Sequence, residues 1–98
     1  MIEIYYDKDM KQYKNEPKNC CAKYKKTDRG NEVFFIMFNE RNLPFNPLEY
    51  ALVRLKTKER FKFINVRKEI FEMYLDFLTK KNTIVYSKIL RMIVSEKL

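Results

Sequence analysis

Three constellations in this chain have side chains and spacing suited to reaction chemistry. They are the carboxylate pairs Asp7/Asp9 and Glu72/Asp76, and the adjacent thiols Cys20 and Cys21. A carboxylate pair can hold Mg²⁺ or share acid–base work. Glu72 and Asp76 also stand four residues apart, the spacing of an ordinary solvated helix face, and that reading carries more weight. Adjacent cysteines rarely bridge each other, because the small ring strains the peptide. Two thiols alone make neither a disulfide framework nor a four-ligand zinc site. A vicinal pair can take a thiophilic metal or act as a redox switch, but the plainer expectation is two strand residues in a reducing compartment.

What is missing narrows the chemistry further. No histidine is present, which removes the commonest general base, nucleophile activator and metal ligand. With Gly30 as the single glycine, a glycine-rich phosphate loop cannot be built. The expectation is a non-enzymatic protein with no metal and no cofactor.

Positive charge is the stronger feature. The chain has 21 basic and 13 acidic residues, a formal net charge of +8. One cluster runs from Lys11 to Arg29 and includes Lys23, Lys25, Lys26 and Arg29, against only Glu16 and Asp28. A second comprises Arg54, Lys56, Lys58, Arg60, Lys62, Arg67 and Lys68, against Glu59 alone. Dense Lys and Arg suit phosphate contacts, so nucleic acid (DNA or RNA) is the first expected partner. Tyr24, Phe61 and Phe63 lie within or beside these clusters, and such rings stack on bases of single strands or RNA. Lys88 and Arg91, with Thr83, Ser87 and Ser95, load the polar side of the last amphipathic segment, as a recognition helix would. Any amphipathic helix has such a side, and lysine-rich composition also serves solubility alone.

A different class of partner is a host protein, inhibited by an effector that occupies its surface. Exposed aromatics beside arginine anchor such interfaces. Tyr5, Tyr13, Arg41, Phe45 and Phe63 are the candidates, with residues 41–45 as a docking loop. A third arrangement is a structural or homodimeric role, in which an edge strand such as residues 2–7 pairs across copies.

These groups need a scaffold, and the pattern supplies one. The 98 residues, 46% hydrophobic and 15% aromatic, predict a single domain over 1–98, mostly β to residue 39 and mostly α from 46. Ile2, Ile4 and Tyr6 alternate with Glu3, Tyr5 and Asp7, the period of a half-buried strand. Residues 8–19 have no apolar period and read as a polar loop. A second strand fits 20–27, with Cys20, Ala22 and Tyr24 inward. A turn follows at Asp28-Arg29-Gly30-Asn31, and then an apolar strand over 32–39 covered on both faces.

Asn46-Pro47-Leu48-Glu49 is a helix start, with Phe45 and Tyr50 as its staple and the helix running to about Arg60. Further helices fit 66–80, capped by Asn65, and a last segment whose apolar residues run from Val85 to Ile93. The predicted fold is α+β, a three-stranded antiparallel sheet followed by three packed helices.

Residues encoded by AT-rich codons (Phe, Tyr, Met, Ile, Asn, Lys) far outnumber Gly, Ala, Arg and Pro. That bias points to an AT-rich genome, and a short motif-free gene leans toward a virus, phage or mobile element. No stretch reaches the ~20 apolar residues of a membrane span, and the acidic N-terminus does not resemble a secretory signal. A soluble cytoplasmic protein, in the host cell if viral, is expected.

Overall fold

In the computed structural model, residues 1–50 and 60–97 are described, the side chains of 49, 50 and 97 excepted. Five antiparallel strands form one sheet: β1 (Ile2–Asp7), β2 (Gln12–Tyr13), β3 (Cys20–Lys26), β4 (Glu32–Asn39) and β5 (Phe61–Val66), in the order β2-β1-β3-β4-β5. A four-residue helix, α1 (Pro47–Tyr50), precedes β5, and two longer helices, α2 (Lys68–Lys80) and α3 (Thr83–Lys97), follow it. The class is α+β as expected, but the expected three strands and three helices are wrong.

Two strands were missed. Gln12 and Tyr13 lie inside the expected loop and pair with Tyr6 and Tyr5. Asp7 makes that return possible: its Oδ1 accepts the amides of Asp9 and Lys11 at 2.8 and 2.9 Å, and its Oδ2 accepts the Tyr13 hydroxyl at 2.8 Å. Met10 takes a left-handed φ of 66° at the bend. The second missed strand, β5, falls between the first two expected helices and pairs along its whole length with β4. Val66, expected on the inner side of a helix, belongs to this strand, and Asn65 pairs with Phe35 instead of capping. The N-cap of α2 is Arg67, whose φ of −68° and ψ of 156° are still extended. The expected first helix is helical over Pro47–Tyr50, and its continuation lies outside the described residues.

The expected hairpin between β3 and β4 forms around Gly30, at φ 85°, with the Gly30 amide donating to the Thr27 carbonyl. Strand β4 is buried only in its C-terminal half, Ile36 to Asn39, while Val33, Phe34 and Phe35 are half-buried. Coverage on both faces therefore holds for half the strand.

Helix α2 lies on the sheet against β4, and α3 packs on α2. Ile70, Phe71, Tyr74, Phe77 and Leu78 form the buried side of α2. Phe71 meets Tyr6 and Phe34, with ring centroids 6.1 and 5.0 Å away. Two tyrosines tie the connection after β4 to the helices: Tyr74 donates to the Phe45 carbonyl at 2.5 Å, and Tyr86 donates to that of Pro44 at 2.7 Å. Burial holds the Tyr74 hydroxyl protonated far above the usual tyrosine range, with the nearby Cys21, Tyr86 and Cys20 adding to the effect. Between α2 and α3, Lys81 takes the left-handed position that glycine usually fills, and its amide donates to Phe77. Asn82 caps α3 through the Ile84 amide at 2.9 Å.

Candidate functional site

Successive residues of a strand face opposite sides of the sheet, and directly paired residues share a side. Tyr6, Ala22, Ile36 and Ile64 form one row across four strands, and Ile4, Tyr24, Phe34 and Val66 form the next. Tyr6 and Phe34 touch Phe71, so this is the face covered by α2.

The opposite face carries the row Tyr13, Tyr5, Lys23, Phe35 and Asn65, flanked by Met37 paired with Phe63 and by Glu3, Lys25 and Val33. At its centre the Lys23 ammonium lies 5.2, 5.5 and 5.9 Å from the ring centroids of Tyr5, Phe35 and Phe63. It also stands 3.9 Å from Glu3 Oε1, with 21% of the Lys23 side chain exposed. The Phe63 ring sits 6.3 Å from that of Tyr5 and 6.4 Å from that of Phe35. All three rings are half-buried. A cation over aromatic faces is attracted by the ring quadrupole, worth about 0.5–1 kcal/mol per contact at partly exposed sites. At the sheet's edge Lys11 lies over the Tyr13 ring at 5.6 Å. The Asp7 carboxylate that accepts the Tyr13 hydroxyl raises that phenol's pKa.

Among the described residues the expected basic clusters are spread over both faces and both ends of the sheet. Lys23 and Lys25 project to the face opposite α2, while Lys26 takes the α2 face and Arg29 sits exposed in the turn. The second cluster is split by β5, with Arg60 and Arg67 at its two ends, roughly 20 Å apart. Arg67 and Lys68 fall at the end of the sheet that holds Lys25, Lys26 and Arg29, and Arg67 is paired with Glu96. Arg60 and Lys62 lie at the other end beside Asn39 and Glu40, whose Oε1 accepts the Arg60 amide at 3.0 Å. Arg54, Lys56 and Lys58 lie outside the described residues. Lys88 and Arg91 are exposed on α3, on the helix side of the sheet. Their neighbours Ile84 and Val94 are 66% and 54% exposed, so the outer side of α3 is partly apolar.

Of the interface candidates, Tyr5, Tyr13 and Phe63 share the face opposite α2; Phe63 is also one of the rings expected to stack on bases, whereas Tyr5 and Tyr13 are expected only at a protein partner. Arg41 is exposed in a turn organised by Asn39, whose Oδ1 accepts the Arg41 and Leu43 amides at 2.9 and 3.1 Å. Phe45 is buried against Phe61, so it plugs the interior and offers no exposed anchor. Phe35 and Glu3 were missed. The hairpin carries the signal that finds them: once Lys26 faces Glu32 across the Gly30 turn, counting back brings Lys23 opposite Phe35.

Most of the reactive groups have other partners. Cys20 and Cys21 are buried thiols, donating to the carbonyls of Ala22 and Asn19. Asp7 builds its turn, Asp9 pairs with Lys81, and Asp76 pairs with Lys80. Among the described residues no three potential metal ligands cluster, and no helix is long and apolar enough to cross a membrane. Comparison with protein-family models, curated proteins and solved structures gives no match.

Proposed function

We propose that this chain binds single-stranded nucleic acid across the face of its sheet opposite α2. The observation that carries this reading is the grouping of three half-buried rings, Tyr5, Phe35 and Phe63, around Lys23 on that face. Bases of a single strand stack on exposed rings without needing a particular sequence, while basic side chains track the phosphates. Here Lys25 stands beside the row and Lys11 above Tyr13, and the net charge of +8 attracts a polyanion from a distance. The ring planes are tilted 55° and 71° to that of Phe63, so a base stacked on one ring meets the edge of its neighbour. A duplex keeps its bases stacked on one another and cannot use these rings.

Ultraviolet cross-linking to a short single strand, mapped by mass spectrometry, tests the location. Adducts within residues 2–8 and 61–66 are expected. Adducts confined to α3 would contradict the reading.

A second reading, an effector that occupies a host protein, is favoured by the exposed Ile84 and Val94 beside Lys88 and Arg91 on α3. Under that reading, substitutions on α3 and not on the sheet abolish the activity.

A further inference from the structure

Stacking alone does not choose among the bases, because every base has a π-face. Choice needs hydrogen-bonding groups beside the rings, and the face opposite α2 holds two of opposite charge. Glu3 and Tyr5 alternate with Ile2, Ile4 and Tyr6 along β1, so Glu3 lies on the same side of the sheet as the three rings. The register sets it directly opposite Lys25 and diagonally beside Lys23.

The Glu3 carboxylate is approached from two sides. Its Oε1 stands 3.9 Å from the Lys23 ammonium, and its Oε2 accepts the Tyr5 hydroxyl at 3.4 Å. Both contacts are long, since a closed charge-assisted hydrogen bond brings nitrogen and oxygen to about 2.7–2.9 Å. The Lys23 and Glu3 side chains are 21% and 31% exposed, so both charges reach solvent. The ammonium has three donors and the carboxylate accepts through both oxygens, which leaves capacity for a further partner. Tyr5 joins this pair to the stacking surface: its ring centroid lies 5.2 Å from the ammonium and its hydroxyl meets the carboxylate.

An acceptor beside a donor is matched on a base by donors beside a carbonyl oxygen. The Watson–Crick edge of guanine has two neighbouring donors, N1–H and the N2 amine, next to O6. A carboxylate takes both through its two oxygens while an ammonium donates to O6. Adenine, cytosine and thymine or uracil have no two neighbouring donors on that edge, so one carboxylate oxygen stays unmatched.

We infer that Glu3 and Lys23 select guanine at one position of the bound strand, with the base seated beside Tyr5. The inference rests on the binding reading proposed above and adds a base preference to it. Lys25, opposite Glu3, stands where it can meet an adjoining phosphate.

Thymidine strands of about nine nucleotides, with guanine, hypoxanthine, adenine or thymine at the centre, test this by fluorescence anisotropy with the full chain. Guanine should bind roughly tenfold more tightly than adenine or thymine, the scale of a bidentate contact to a base. Hypoxanthine keeps N1–H and O6 but lacks the amine, and should fall between them. Glu3→Gln should abolish the guanine preference, while affinity for the all-thymine strand holds or rises because a negative charge is gone. Equal affinity for all four strands overturns the inference and leaves strand binding standing. So does a guanine preference that survives Glu3→Gln. Failure to bind any of the strands overturns both.

Discussion

The two faces of the sheet are built from neighbouring residues of nearly the same type, yet they have different fates. Tyr6 and Phe34 turn to Phe71 and join the interior, while Tyr5 and Phe35, one position away, turn to the other side and gather around Lys23. On strand β3 the same alternation sets buried Ala22 beside half-buried Lys23. Aromatic content therefore does not distinguish core from surface here. In the two central rows the β3 residue differs: Ala22 is small and lies on the face that α2 covers, whereas Lys23 stands among the rings of Tyr5, Phe35 and Phe63.

The comparison breaks most visibly if the covered face is damaged. Phe77→Ala should cost about 3–5 kcal/mol, read as a lowered denaturation midpoint with an unchanged slope, because Phe77 is fully buried between Tyr74 and Tyr86. On the face opposite α2 the expected effect moves from stability to binding. Phe35→Ala and Phe63→Ala should each weaken single-strand affinity by about 1–3 kcal/mol while the circular dichroism spectrum stays that of the native chain. A loss of fold comparable to that of Phe77→Ala would erase the distinction between the faces.

Smaller effects sharpen it. Tyr74→Phe leaves the buried Phe45 carbonyl without its hydroxyl donor and should cost about 1–3 kcal/mol, measured by thermal denaturation. Gly30→Ala meets no atom within 4 Å, so only the positive φ opposes it, at about 1 kcal/mol.

The smallest effect is one of pH. Partial burial raises the Asp7 pKa, but hydrogen bonds from the Tyr13 hydroxyl and the Lys11 and Asp9 amides, with Lys11's charge, outweigh it and lower the value. A carboxylate whose folded pKa is depressed contributes stability above its unfolded pKa and loses it as pH falls through the folded one. Acid titration should therefore loosen the β1–β2 return below the ordinary aspartate range, and Asp7→Asn should flatten that dependence.

Much of this architecture is legible in the sequence wherever the signal is local. The alternation of residues 2–7, the turn at Gly30 and the apolar spacing of Ile70, Phe71, Tyr74, Phe77 and Leu78 each declare their element. Strand β5 is not legible in that way. Phe61-Lys62-Phe63 alternates, but it stands among lysines and arginines, and its pairing with β4 is fixed by residues more than twenty positions away. Strand β2 is less visible still, because two polar residues are held by one aspartate and a bend. The candidate site inherits that blindness. Tyr5, Lys23 and Phe63 stand out by type, but only the registers of β1, β3, β4 and β5 bring them together, and Phe35 is hidden inside an unbroken apolar run.

The most direct test of the central claim is a fluorescence-anisotropy titration with matched single- and double-stranded oligonucleotides at several salt concentrations. The account expects preference for the single strand and an affinity that falls roughly twentyfold between about 50 and 200 mM salt, as contact with about three phosphates requires. Phe35→Ala should remove most of that preference while leaving much of the salt dependence. Equal affinity for the duplex, unaffected by Phe35→Ala, or no binding even at low salt, would contradict it.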